Sequence, residues 1–537
     1  VYQQTLDPLL GSLGWSALVA ALPLVVLFAL LGIFRVTAWK ASLIALAVAL
    51  AVSVGVYGMP PGQALMSVSL GAAFGFFPIL WIVINAIWIY NMTVVTGDFE
   101  VLQRSFARVS ADRRIQAVII AFCFGALLEA LAGFGTPVAI TTVMLLSLGF
   151  RALTAAVVAL VANTAPVAYG ALAAPIVTLS SVTGLPLSEL GAVTGRQTPL
   201  LAVVVPVVLV GIIDGWRGVR QTLPATLVCG GTFALAQFLS ANFVSVPLTD
   251  IIAALVSAGA TVLLLRWWSP ELVTNEHEMA EAPGAAARTA DRGGTVLRAY
   301  APYLIIIAVF VLAQIRPIAE AMDAVTVSFR WPGLEVLDPS GQPLALVEYD
   351  FAWLSGAGSL LLIAGALTIP VLGIGPRAAA TRYVATYAQL KWPIVTVMSV
   401  LAIAYVMNTS GQTATLGNWM AAAGGLFALI SPVLGWLGVA VTGSDTSSNS
   451  LFGALQVTAA NKAGIDPVLA AAANGSGGVL GKMISPQNLA IAAGAVGMTG
   501  GEGDIFRRVL PWSLGFLVAM CLLVYLQSTP VLSWMLP

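Results

Sequence analysis

Apolar residues run through this chain in long unbroken blocks, without the strict alternation of half-buried strands or the one-sided period of surface helices. A helix needs about 20 apolar residues to cross a lipid hydrocarbon core. Blocks of that kind lie at 13–34, 38–57, 66–95, 197–213, 222–243, 251–268, 299–316, 351–374, 393–408 and 509–528. Two further regions, 115–182 and 416–499, are as apolar but repeatedly interrupted by Gly, Pro, Ser, Thr and Asn. The pattern predicts an all-α polytopic membrane protein.

Composition agrees. Of 537 residues, 59% are hydrophobic and 9% charged, and the mean hydropathy is +0.96. A soluble chain carries roughly 25% charged residues, so most of this surface must face lipid. A net charge of zero gives no electrostatic case for a nucleic-acid partner. Cys123, Cys229 and Cys521 are scattered in apolar stretches, and the single histidine, His277, lies in a polar loop. Neither supports a metal, a cofactor or nucleophilic chemistry, so the chain does not read as an enzyme.

Basic residues mark the cytoplasmic loops. They cluster at Arg35 and Lys40, at Arg104, Arg108, Arg113 and Arg114, at Arg217 and Arg220, at Arg266 to Arg298, at Arg377 to Lys391, and at Arg507 and Arg508. Loop 317–350 is acidic and is placed outside, as are both termini. A polar linker, 269–297, separates an N-terminal half (1–268) from a C-terminal half (298–537).

The same bookkeeping gives the two interrupted regions a shape. Arg114 and Arg151 share the cytoplasmic face, so the segment near 115–150, broken at AGFGTP (132–137), is an inward-opening re-entrant hairpin. The segment near 416–465, broken at GSDTSSN (443–449), is its outward-opening counterpart. Each is followed by a span interrupted by a polar cluster, at NTAP (163–166) and at NGSGG (474–478). Thr136 and Asn163 stand 27 residues apart, Ser448 and Asn474 26 apart. The expectation is two inverted repeats with about 12 transmembrane helices plus the two hairpins, an arrangement that places a transport site at mid-membrane. Glycine-rich stretches that only let helices pack closely are the simpler alternative.

Unwound backbone at that depth belongs around a cavity, and half-helix N-termini attract anions. Thr136, Asn163, Thr164, Ser444, Thr446, Ser447, Ser448, Asn449, Asn474 and Ser476 add short donors and acceptors suited to a small carboxylate bearing a hydroxyl. Lys482 is a candidate for the substrate carboxylate, and Glu129 or Asp445 for a transported proton. A structural ion pair between Lys482 and one of these acids is the competing reading. Arg196 reads as an anchor at the outer surface.

FCFGALLEALAGFGTPVAI (122–140), NTAPVAYGA (163–171), GRQTP (195–199), DGWRG (214–218), LGWLGVAVTGSDTSSN (434–449) and GGVLGKMISPQN (477–488) closely resemble the bacterial L-lactate permease family. The resemblance implies proton-coupled symport of L-lactate, with D-lactate and glycolate, across the cell inner membrane. It implies protons, lipid and a small carboxylate as partners and leaves the oligomeric state open. By looser analogy it implies an elevator-type movement. A sodium-coupled small-carboxylate transporter is the alternative, since unwound carbonyls also suit Na⁺.

Overall fold

The computed structural model describes residues 1–107, 109–133, 135–270, 292–498 and 501–537. Most of the predicted linker, with His277 and Arg288, lies outside the described residues, as do Arg108 of the charge map and Phe134 of the first break.

The described chain is helical almost throughout. Nine of its helices are long and apolar enough to cross a membrane, ten if the bent pair Ala152–Ala162 and Val167–Thr183 is one span. The sequence pattern predicts about 12 besides the two hairpins, whereas Arg113–Leu131 and Gln412–Thr442 among the nine fall in the predicted hairpin regions; the shortfall has physical causes. The 58-residue run Leu187–Val244 is reversed at Gly215, whose φ of 66° only glycine adopts without strain. Gly230 then packs on the carbonyls of Ala202 and Val203, so the run is two antiparallel helices. Thr249–Leu264 and Ala357–Leu372 occupy predicted spans but have only 16 residues each.

Helix ends follow local chemistry. Proline opens the helices at Pro61, Pro376, Pro467 and Pro486, where its missing N–H goes unneeded. Ser12, Asp112, Ser444, Asp466 and Ser485 cap helix N-termini through their side chains.

Two small sheets decorate one end. Tyr2–Gln3 pairs in parallel with Val336–Leu337, and Val327–Arg330 pairs antiparallel with Glu348–Phe351, Val327 opposite Phe351. The predicted outer loop is thus folded, and the N-terminus lies on the same side, as the charge map requires. Tyr2 Oη donates to Tyr57 O at 3.0 Å and Ser410 O at 2.9 Å, and Gln4 Nε2 to Asn408 O at 2.7 Å. At the other end Trp39 stacks on Trp392, their ring centroids 4.5 Å apart. There too Arg114 binds Asp112 and Asp214, each at 2.7 Å.

Both interrupted regions fold as antiparallel helix pairs. In the first, Gly125 faces Thr141 across the turn. In the second, Phe427–Thr442 turns at left-handed Gly443 into Asp445–Ala463. Ser448 Oγ donates to Gly435 O at 3.1 Å and Gln456 Nε2 to Ser431 O at 2.9 Å, holding its arms together.

Two expected breaks are corrected. Only Gly443 and Ser444 are non-helical in 443–449, since Asp445 begins the next helix. NGSGG does not interrupt its span at all: Pro467–Gly481 is one continuous helix. Its glycines serve contact. A Cβ on Gly477 would collide with Pro432 O, one on Gly481 with Trp436 O, and one on Gly435 with Asn474 O. Helix Phe427–Thr442 and helix Pro467–Gly481 therefore touch backbone to backbone. The close-packing alternative holds here, and the real break follows at Lys482–Ile484. By contrast, the break at Asn163–Pro166 is present, with a bend of 62°.

Gly435→Ala should lower the thermal unfolding midpoint in detergent by the equivalent of about 1–3 kcal/mol of overpacking. Gly494→Ala, where the added methyl meets open space, should leave the midpoint unchanged or slightly raised.

Candidate functional site

Ser485 and Asn488 shape the corner that follows Lys482. Ser485 Oγ donates to Lys482 O at 3.0 Å, and Asn488 Nδ2 donates to the same carbonyl at 3.1 Å, adding to the Ser485 backbone N–H that caps it. Both hairpin tips meet this corner: Gly135 lies against Asn488 and Ile491, and Gly443 against Gln487.

Lys482 reaches back from the corner into protein and is 6% exposed. Its Nζ lies 2.5 Å from Glu129 Oε1, and Asn163 Nδ2 donates to Glu129 Oε2 at 2.9 Å. One carboxylate, 3% exposed, thus joins the first hairpin, the bent span and the second half of the chain. It fits because Gly133 and Gly170 lack side chains: a Cβ on Gly170 would stand 2.9 Å from Oε1. Directly after Gly170, Ala171, Leu172 and Ala173 hold φ values of 44°, 50° and 60°. Left-handed backbone at three non-glycine residues is strained, and such strain clusters at functional sites.

The second acid behaves differently. Asp445 is 3% exposed, yet neither carboxyl oxygen accepts a hydrogen bond among the described residues. It lies within electrostatic reach of Lys482 and packs on Gly478, where any side chain would collide with Oδ1.

The predicted polar residues stand in different situations. Asn474 Nδ2 donates to Asn449 Oδ1 at 2.8 Å, Asn449 Nδ2 to Pro175 O at 3.0 Å, and Gln456 Nε2 to Asn474 Oδ1 at 3.1 Å. With Ser448, these residues fasten helices to one another. Thr164 Oγ1 is returned to Val161 O at 2.6 Å, and Ser444 Oγ accepts from Ser447 N at 3.3 Å as a cap. Thr446 and Thr136 are half-buried, and no hydrogen bond joins the Thr136 hydroxyl to the cluster among the described residues. Asn163 Oδ1 and Ser476 Oγ are buried without hydrogen-bond partners among the described residues. Arg196 bonds Asn242 Oδ1 at 2.9 Å and Met535 O at 2.8 Å, which ties its helix to the segment around Met535.

Asp250 escaped the sequence reading because it directly precedes the block 251–268 and so resembles an ordinary loop acid. It is fully buried, and both oxygens lack hydrogen-bond partners among the described residues. Gly170, Ser485 and Asn488 were visible only as letters within motifs.

Known proteins share this layout of sequence. The profile of the family described as L-lactate permease matches residues 16–531. An L-lactate permease of Bacillus subtilis is 41% identical over 563 residues, covering 100% of both chains. One of Escherichia coli is 41% identical over 551 residues, again covering 100% of both. A glycolate permease of Escherichia coli is 40% identical over 541 residues, covering 97% of each.

Removing one partner of a buried ion pair strands the other charge at a cost of about 3–5 kcal/mol. Glu129→Gln should therefore destabilise the protein strongly in a detergent melt. The double variant Glu129→Gln with Lys482→Met should be more stable than Glu129→Gln alone, and additive losses would show that the two side chains are uncoupled.

Proposed function

This chain belongs to the L-lactate permease family, and on that premise we propose that it is a secondary transporter for L-lactate, with D-lactate and glycolate, driven by protons. The named relatives support a small 2-hydroxy-carboxylate as substrate. The observation that carries the coupling is the buried Lys482–Glu129 pair.

A substrate carboxylate that seeks the Lys482 ammonium meets a site already neutralised. If it binds while Glu129 stays ionised, two negative charges share one buried positive charge, which a low-dielectric interior penalises heavily. If Glu129 takes a proton as it yields Lys482, the loaded site is again neutral. One proton then enters with each carboxylate. Asn163, already bonded to Glu129, would steady the protonated acid, and the open Asn163 Oδ1 and Ser476 Oγ suit the substrate hydroxyl. Asp445 is the other acid able to hold a proton in this region.

Both hairpins, with the bent span and the helix that carries Lys482, would move as one elevator-like body past the remaining spans. The membrane would be the bacterial inner membrane, with loop 317–350 and both termini outside.

Glu129→Gln should abolish pH-gradient-driven lactate accumulation in proteoliposomes while lactate–lactate exchange persists. Gradient-driven accumulation at the wild-type level would refute the competition for Lys482. Uptake in sodium-free buffer separates this reading from sodium coupling, which requires it to fail. For sidedness, in a chain freed of its native cysteines, Ser340→Cys should react with an impermeant maleimide in intact cells. Arg377→Cys should react only after permeabilisation, and the reverse pattern would invert the topology.

A further inference from the structure

We infer that Asp250 is a proton-relay residue, holding the proton that Glu129 receives when it releases Lys482. The inference rests on the proton-coupled reading above and deepens it.

Asp250 lies at the start of helix Thr249–Leu264, fully buried, with the Gln237 amide as its polar neighbour and no hydrogen bond of ordinary length to either oxygen among the described residues. An ionised carboxylate in that position would be stranded, whereas a neutral carboxyl is tolerable. The residue therefore stores a proton in this conformation. Glu129 and Lys482 both lie within electrostatic reach of it.

Its surroundings connect it to the broken span. Gln237, beside Asp250, donates through Nε2 to Ala165 O at 3.2 Å, within the break. Two residues earlier in that break, Asn163 bonds Glu129. Asp250 and Gln237 thus approach the break from one side, and Glu129 is bonded to it from the other. Helix Thr249–Leu264 also packs directly on helix Gly125–Ala132, which carries Glu129.

Among the described residues, the elements packed against helix Thr249–Leu264 bring no other acid to Asp250 besides Glu129. Tyr169 gives its hydroxyl to Gly191 O at 2.7 Å. Arg196 is turned to Asn242 and Met535. Glu189 is exposed, and Asp214, Arg217 and Arg220 lie at the opposite end of the paired helices. Cys123 and Cys229 sit farther along, each 3.4 Å from Ser257 Oγ. The segments 170–183 and 240–244 contribute no ionisable side chain.

The step balances simply. The O–H bond of the Asp250 carboxyl breaks, and its proton forms an O–H bond on the Glu129 carboxylate as that group leaves Lys482. The substrate carboxylate takes over the ammonium. As that proton leaves, Asp250 takes another from water on the outer side in the same step, so the buried carboxyl is not left ionised.

The test uses Asp250→Asn, a neutral isostere of the protonated acid, in proteoliposomes of the full chain. With one proton per lactate, a gradient of one pH unit supports about tenfold accumulation, since one unit is about 1.4 kcal/mol. The variant should fall from about tenfold toward no accumulation and lose its dependence on outside pH, while lactate exchange persists. A purely structural neutral group would leave the variant like wild type across the pH range, which overturns the inference, as does loss of exchange together with accumulation. Infrared difference spectra of the wild type on adding lactate provide a second measurement. A carboxylic C=O band that responds to lactate and is absent from Asp250→Asn supports the role, and no such band refutes it. If the wild type ignores the pH gradient, the proton-coupled reading falls, and the infrared band alone decides Asp250.

Discussion

An ammonium buried within a lipid-spanning body must be answered by a carboxylate, and much of this architecture exists to bring one to Lys482. The chain supplies it from 353 residues away, at Glu129. Ser485 and Asn488 hold the lysine's own carbonyl, while Gly133 and Gly170 clear the space that the carboxylate occupies. The tips of both hairpins close against the same corner. Each device answers the same difficulty: polar groups removed from water are tolerable only when each has a partner.

Glycine performs two separable tasks in this setting. At Gly443 and Gly215 it turns the chain through left-handed backbone, ending one helix and starting another. At Gly435, Gly477 and Gly481 it sits in regular helix and lets two backbones meet. In sequence the two uses look alike, because both put small residues near Ser and Asn. Structure separates them by whether hydrogen bonding continues through the segment. Helix Pro467–Gly481 is therefore packed backbone to backbone against the second hairpin.

Much of this was legible beforehand. Apolar blocks gave the all-helical membrane class, and basic loops put the N-terminus and loop 317–350 on one common side; in the structure Tyr2–Gln3 pairs with Val336–Leu337 of that loop. The long motifs identified the family. Glu129, Asp445 and Lys482 stood out as ionisable groups in apolar surroundings, which is where charge is most informative. The pairing of Lys482 with Glu129 was legible only as one of two options, because local pattern carries no information across hundreds of residues. Asp250 was hidden for the opposite reason: it adjoins a span boundary, where acids are ordinary, and only the packing of helix Thr249–Leu264 takes it out of water. The NGSGG segment misled because helix-breaking composition and helix-packing composition coincide.

The docking of the first residues has a consequence for how the molecule is made. Tyr2 binds Ser410 O, and Gln4 binds Asn408 O and Thr409 O. These acceptors lie some 400 positions later in the chain. Tyr2 and Gln4 are therefore made long before the residues they bind, and can dock only once that later helix is in place. Contacts of such long range form late, because so much chain must be ordered before they are gained. The N-terminal strand is thus a closing clasp, fastened after the helices beneath it are in place, and its docking marks an assembled transporter from one still under construction.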